Sequence, residues 1–265
     1  MKPTTNIAVR AARQAGKLLL RYYGQVDASS ISEKSRNDFV SEVDRMAETA
    51  IIDTLRKAYP NHAILAEESG ETRGDDYQWI IDPLDGTTNY LHSFPQFAVS
   101  IALRHRGQLE SAVVYDPMRE EMYTADRGGG AFLNDRRLRV TQRKDLHGAL
   151  IGTGIPFRDQ RHLDVYLAML KALVRDTAGI RRPGSAALDF AYLAAGRIDG
   201  FWELGLSPWD FAAGALLIRE AGGLVTDLAG GERYFDTGNV VAGGLKVHAA
   251  MLRELTPLLT KDLPA

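Results

Sequence analysis

The chain has no cysteine among its 265 residues. It forms no disulfide and offers no thiolate, so any metal must be held by oxygen or imidazole. A cysteine-free chain fits a reducing compartment. Long apolar runs are also missing, since none approaches the roughly 18–20 residues needed to cross a bilayer. The opening MKPTTNIAVRAARQAGKLLL interrupts its apolar residues with charge and lacks a signal-peptide core. The expected location is cytoplasmic, with no membrane partner. Charge of one sign is lacking too: 32 basic and 34 acidic side chains leave a formal net charge of -2. That balance supports neither a wide nucleic-acid footprint nor a polybasic membrane anchor. None of the six histidines falls in an H-E-x-x-H motif. No lysine–serine pair follows the Gly128–Gly130 triplet as a P-loop requires, so those glycines read as a hairpin.

What is present is an ordinary globular composition, 45% hydrophobic and 25% charged, long enough to bury a sizeable core. Ile7, Ala11, Ala15, Leu18 and Tyr22 recur at helical spacing, predicting an amphipathic helix that ends near Gly24. A second helix is expected from about Ser41 to Ala58. Short apolar and β-branched runs follow: Ala63–Glu67, Gln78–Asp82, Phe97–Arg104, Leu109–Tyr115 and Glu121–Ala125. Their close spacing favours antiparallel pairing. Beyond a basic stretch at Asp135–Lys144, strands and helices alternate: Ala149–Thr153, Leu163–Val174, Ser185–Ala195, Ile198–Glu203, Pro208–Ala221, Leu224–Asp227, Asn239–Ala242 and a terminal helix from Leu245. Helices first, an antiparallel sheet next, then alternating elements predict an α+β fold of stacked layers. The chain is expected to be a single domain over 1–265, with packed halves of about 1–145 and 146–265.

The most informative segment is Trp79-Ile-Ile-Asp82-Pro83-Leu84-Asp85-Gly86-Thr87-Thr88-Asn89. A strand runs into Asp82, and Pro83 is expected to stop it from continuing through the sheet. Asp82 and Asp85 flank a tight turn that can aim both carboxylates and the Leu84 carbonyl at one point. Hard oxygen ligands at that density suit Mg²⁺. Gly86, Thr87 and Thr88 offer N–H groups where a helix begins, a natural phosphate site. The same residue types also make simple turns. Two further acidic positions bear on the choice. Glu67 and Glu68 end a strand, where a solvated end is the plain alternative. Asp210 follows Ser207-Pro208-Trp209 in the first turn of an apolar helix, where a structural cap is the alternative.

Taken together, these segments resemble the inositol monophosphatase family. Trp79–His92 is similar to its first signature, W-x-x-D-P-x-D-G-T-x-N-[FY], and Trp209–Gly223 to its second, W-D-x-A-[AG]-G…E-A-G-G. Glu67-Glu68-Ser69 matches G-E-E-S with Ala66 in place of the glycine, and Lys34…Asp38-Phe-Val-Ser-Glu-Val-Asp44 matches K…D-x-V-T-x-x-D. The resemblance covers nearly the whole chain in family order. It is nearest to the bacterial SuhB-type branch, through Asn6–Arg13, Arg181–Leu188, Ala194–Gly200 and Thr237–Gly243.

The resemblance implies a layered αβαβα sandwich of the sugar-phosphatase type and Mg²⁺-dependent hydrolysis of inositol monophosphate, with two or three ions. Glu67, Asp82 and the Leu84 carbonyl would bind the first ion, and Asp82, Asp85 and Asp210 the second; a third, weaker ion would sit near Glu67. Asp44 would hydrogen-bond the Thr87 hydroxyl, which with Glu67 orients the attacking water. Gly86 and Thr87 amides would hold the phosphate. Asp85, Ser185, Ala186, Glu203 and Asp210 would face the substrate, with Arg181 a further candidate beside them. Fructose-1,6-bisphosphatase and phosphoadenosine phosphatase activities are the alternatives that share this scaffold; Glu203 favours a polyol. The SuhB-type branch implies, as an alternative of another class, an accessory role in transcription antitermination, with elongation factors or RNA polymerase as partners. The basic residues Arg136, Arg137, Arg139, Arg143 and Lys144 are the candidates for that role, although a solvated face is the plainer reading. A homodimer and lithium sensitivity are likewise implied.

Overall fold

The computed structural model describes residues 1–25, 31–35, 38–157 and 159–263, with 31–35 and 38–41 described by backbone alone. The side chains of Lys34 and Asp38 therefore lie outside the described residues. Helix α1 (Pro3–Tyr22) opens on a proline, which suits a first helical turn because no N–H is needed there. A short antiparallel pair, β1 (Ile31–Ser35) and β2 (Asp38–Ser41), precedes α2 (Glu42–Ala58). Ala8, Ala11, Ala12, Ala15 and Leu19 bury one face of α1, and Val43, Ala47, Ile51 and Leu55 bury the matching face of α2.

These two helices cover one side of an eight-stranded sheet. Its strands are β3 (Ala63–Ala66), β4 (Gly70–Thr72), β5 (Tyr77–Asp85), β6 (Ala98–His105), β7 (Gln108–Asp116), β8 (Glu121–Asp126), β9 (Gly130–Leu133) and β10 (Arg136–Arg137). A small helix, α3 (Thr87–Leu91), lies between β5 and β6. The spatial order is β10-β9-β8-β7-β6-β5-β3-β4. Antiparallel pairing holds from β5 through β10, but β3 and β5 run parallel, because β4 pairs back on β3 and the chain then crosses to β5. β5 also runs further than expected. It continues through Pro83 to Asp85, with the register to β6 slipping between Asp82 and Asp85. That slip accommodates a residue with no ladder donor and turns both aspartates toward one region.

The second half contributes a five-stranded sheet, ordered β12-β11-β13-β15-β14, built from β11 (Leu150–Thr153), β12 (Gly179–Arg181), β13 (Gly200–Glu203), β14 (Leu224–Thr226) and β15 (Val240–Gly243). β11 is parallel to β12 and β13, while β15 is antiparallel to β13 and β14. Helices α5 (Ala186–Ala194) and α6 (Pro208–Glu220) fill the space between the sheets; α4 (Leu163–Val174) and α8 (Leu245–Leu255) cover the far side, and α7 (Tyr234–Thr237) is a single turn. The layers read α1α2, sheet, α5α6, sheet, α4α8.

Side-chain parity shows how the first sheet serves two layers. Trp79 and Ile81 join the cluster under α1 and α2, whereas Ile80 joins the cluster with Phe190, Phe201 and Phe211 in the middle layer. Asp82 shares parity with Ile80 and so faces the middle layer. α6 is apolar nearly all round, as a helix buried between two sheets must be. It crosses α5 at Gly214, where the Phe190 side chain fills the place a Cβ would take.

Candidate active site

Four carboxylates converge where the first sheet meets the middle helices. Asp82 is 1% exposed at the end of the regular part of β5, and its Oδ1 accepts the Leu84 N–H at 2.9 Å. Asp85 closes β5, and its Oδ2 accepts the Ser185 hydroxyl at 2.6 Å and the Ala187 N–H at 2.7 Å. Hydrogen bonds to a charged acceptor contribute about 1.5–3 kcal/mol each, so Asp85 pins the start of α5 to the first half. Asp210 lies in the first turn of α6, where its Oδ2 accepts the Ser207 N–H at 2.7 Å. The cap and the cluster are thus the same residue, one oxygen closing the helix end while the carboxylate faces its neighbours. Asp82, Asp85 and Asp210 each offer an oxygen, all within 4.8 Å of one another. Glu67, just past β3, hydrogen-bonds Asp82.

The electrostatics are those of an anionic cluster. Burial, then the charges of Glu67, Asp85 and Asp210, push the Asp82 pKa well above the carboxylate range. Burial, then Asp85 and Glu67, do the same to Asp210, with the Ser207 N–H opposing. A divalent cation is the group these oxygens can share, and an all-carboxylate donor set suits a hard ion such as Mg²⁺. The residues present therefore fit a metal. Among the described residues this is the one grouping of three or more histidine or carboxylate ligands, and it contains no histidine.

Gly86 follows at φ +96° and starts α3. A Cβ there would sit 2.9 Å from the Gln96 carbonyl, so only glycine fits. The N–H groups of the first turn of a helix have no intrahelical acceptor, and Gly86, Thr87 and Thr88 line the same cavity as the acid cluster. The Thr87 hydroxyl donates to the Leu84 carbonyl at 3.0 Å and lies 3.4 Å from Asp44 Oδ1, a buried carboxylate on α2.

A cavity of about 410 Å³ opens over this cluster, and its walls include Glu67, Asp82, Leu84, Asp85, Gly86, Thr87, Ser185, Ala186, Glu203 and Asp210. Arg181 is not on that wall. It is exposed on the edge strand β12, and its Nη1 donates to the Ile180 carbonyl at 3.1 Å, while the next residue, Arg182, lines the cavity. Arg181 is the last residue of β12 and Arg182 the first beyond it, where the chain leaves the sheet edge on its way to α5. Asp44 is not on the wall either; it lies beneath Thr87.

Several lining residues carry no signal that spacing reveals. Gly154 follows β11, and a Cβ there would fall on the Glu203 carboxylate. The Asn89 amide donates to the carbonyls of Gln96 at 2.8 Å, Pro183 at 2.9 Å and Gly184 at 3.2 Å. It clasps the first-signature loop to the segment before α5. Asp189 is 2% exposed, and its Oδ1 has no hydrogen-bond partner among the described residues. Burial, then Glu203 and Asp85, raise its pKa well above the usual range, with Arg182 opposing. Asn89 stood inside a quoted motif; Gly154 and Asp189 had no signal.

A layered αβαβα sandwich with an acidic cluster at the junction of its first sheet and middle helices defines a phosphatase fold with a metal-type site. The chain belongs to the inositol monophosphatase family, whose model matches residues 1–260, a family of metal-dependent phosphatases. It is 56% identical over 269 aligned positions to the Nus factor SuhB of Pseudomonas aeruginosa, covering 99% of each chain. It is 55% identical to the Nus factor SuhB of Escherichia coli, again with 99% of each covered. Among solved structures it resembles the extragenic suppressor protein suhB from Bartonella henselae (TM-score 0.92, 47% identity, 96% of this chain and 98% of that one). It also resembles the inositol monophosphatase from Anabaena (TM-score 0.85, 38% identity, 96% and 95%). Among the described residues, no helix is long and apolar enough to cross a membrane.

Proposed function

We propose that the protein hydrolyses inositol monophosphate to myo-inositol and phosphate with Mg²⁺, using two or three ions. The observation that carries this reading is the meeting of Asp82, Asp85 and Asp210 within 4.8 Å, beside a helix start at Gly86 and under one cavity. Glu67, Asp82 and the Leu84 carbonyl would hold one ion, and Asp82, Asp85 and Asp210 another. Bound Mg²⁺ supplies positive charge to the phosphate and the leaving oxygen and makes a water more acidic. The chain's own residues do the rest. Gly86 and Thr87 N–H groups bind phosphate oxygens. The Thr87 hydroxyl, buttressed by Asp44, joins Glu67 in orienting water for attack on phosphorus. Asp85, Ser185, Ala186 and Glu203 accept or donate hydrogen bonds to the polyol hydroxyls, with Asp210 close by.

A panel of inositol 1-phosphate, fructose 1,6-bisphosphate and phosphoadenosine phosphate, with Mg²⁺ and a lithium titration, tests the reading. Turnover of the first is expected to dominate and to fall with lithium. Negligible turnover of the first with robust turnover of another would reassign the substrate.

A second reading is a role in transcription, with elongation factors or RNA polymerase as partners. What favours it is the name Nus factor carried by relatives more than half identical over nearly the full chain. Exposed Arg136 and Arg137 on β10 offer a basic edge. Asp85→Asn separates the two: phosphatase activity is expected to disappear while a transcription role survives, and joint loss would undo the separation. The chain is further read as a cytoplasmic homodimer. Each protomer is read as one unit of two packed halves, supported by the hydrophobic cluster joining Ile80, Val114 and Tyr123 to Phe190, Phe201 and Phe211.

A further inference from the structure

Helix α2 presents two buried carboxylates one turn apart, Asp44 at 1% exposure and Glu48 at 3%. Residues four apart share a helix face, and both point from α2 toward the site. Asp44 is accounted for by Thr87. Glu48 is not, and no ion pair neutralises it among those the structure records. Its Oε2 accepts the Glu68 N–H at 2.8 Å and its Oε1 the Ser69 N–H at 2.9 Å. Both oxygens are thus committed to the two residues that directly follow Glu67. On the other side, the Glu67 N–H donates to the Ile81 carbonyl at 3.2 Å, continuing the parallel ladder of β3 and β5 to the position beside Asp82. The backbone of Glu67 is therefore held from both sides, by a sheet bond that registers it against Asp82 and by a bidentate carboxylate clamp.

A buried carboxylate is costly unless its hydrogen bonds are made, and a simple turn after a strand needs no such group. Here the clamp is spent on a turn whose first residue is the Glu67 side chain that hydrogen-bonds Asp82. We infer that Glu48 is a positioning residue that fixes the Glu67 carboxylate relative to Asp82, so that the two can share a divalent cation. The inference rests on the metal-site reading given above. It adds that α2 controls both halves of the water-orienting pair, Thr87 through Asp44 and Glu67 through Glu48.

Glu48→Gln tests it. The amide keeps the shape and one acceptor but turns an N–H donor against one of the two backbone N–H groups. Glu48→Asp keeps the charge and shortens the reach, so both bonds lengthen. Mg²⁺ binding is read by calorimetry without substrate, alongside thermal melting without metal and steady-state kinetics across Mg²⁺ concentration. Removal of groups that orient metal ligands typically weakens affinity about 10–100-fold. About tenfold weaker Mg²⁺ binding is expected in both variants. KM for inositol 1-phosphate at saturating Mg²⁺ should stay within about twofold, and kcat should recover as Mg²⁺ is raised. Wild-type Mg²⁺ affinity in the folded variants would overturn the inference while leaving the metal site intact. Failure of Glu48→Gln to fold would overturn it too, since a clamp whose loss unfolds the chain is structural. No Mg²⁺ binding by the wild type would remove the metal-site reading and this inference together. Binding without turnover of inositol 1-phosphate would remove only the substrate, and the calorimetric comparison would still decide.

Discussion

Replacing Asp82 by Asn should make the metal-free protein more stable while removing its response to Mg²⁺. The substitution keeps the side-chain shape and an Oδ1 that can still accept the Leu84 N–H. The amide N–H₂ can donate toward Glu67, where Asp82 and Glu67 otherwise share a hydrogen bond. What disappears is one charge from a group whose oxygens lie within 4.8 Å. Two unit charges at that separation repel by about 3.5 kcal/mol at an effective dielectric of about 20. Burial and its neighbours hold the Asp82 pKa well above the ordinary range. The folded protein therefore keeps a proton that the unfolded chain loses near pH ~3.9, and metal-free stability falls as pH rises from there through the folded pKa. Asn at 82 escapes that loss. The two proteins should melt together near pH ~4, and the gap should open by about 1.4 kcal/mol per pH unit. It should level off once Asp82 ionises, at no less than the ~3.5 kcal/mol of one pair because burial adds to the repulsion, which is at least about 6 °C for a chain of this size. Thermal melting in a chelator from about pH 4 to 8.5, repeated with saturating Mg²⁺, reads both effects. A variant that melts below wild type at alkaline pH without metal, or that gains as much from Mg²⁺, would refute the reasoning.

Mg²⁺ at about a hundred times its Kd should stabilise the wild type by about 2.7 kcal/mol, some 5–10 °C, and a chelator should reverse it; no shift at millimolar Mg²⁺ would count against the metal site. Asn89→Ala should cost about 1–3 kcal/mol in urea unfolding, because three carbonyls lose their donor. It should also raise KM as Ser185 and Ala186 drift from Asp85, and an unchanged midpoint with unchanged KM would contradict the clasp. Gly154→Ala puts a methyl group on the Glu203 carboxylate. KM for inositol 1-phosphate should rise about tenfold, the equivalent of ~1.4 kcal/mol, with a smaller change for p-nitrophenyl phosphate, which has no hydroxyls for Glu203 to read.

Helical periodicity located α1 and α2 because each buries one stripe, whereas α6 was legible as an apolar run opening on Ser207-Pro208, and both patterns are local. Pairing partners were less legible. The parallel β3–β5 pair depends on β4, whose three residues, Gly70–Thr72, carry too little pattern to read. Pro83 reads as a strand stop because it lacks a ladder donor, yet the register slip absorbs it. The short edge strands β10 and β12 are set by their neighbours rather than by their own residues. At the site, the acids were legible as residue types and through family resemblance. Their convergence came from the resemblance alone and not from spacing, since Asp210 reaches Asp82 only through the packing of α6 against the first sheet. Glu48, Gly154 and Asp189 act by contact across elements, and no spacing along the chain announces a contact. Arg181 and Arg182 show the finest limit: a one-residue difference, between the last position of an edge strand and the first beyond it, decides which arginine meets the cavity.

The crossing of α5 and α6 at Gly214 has a genetic consequence. Ser185 and Ala186 sit at the start of one helix and Asp210 at the start of the other, so the crossing is a fulcrum between them. A methyl group at 214 would meet Phe190 and wedge the helices apart, swinging both starts away from the cavity. Alleles of this kind would arise from small-for-small changes deep in the core. They would yield full-length, folded protein with a damaged chemistry, and a screen that scores abundance alone would pass over them.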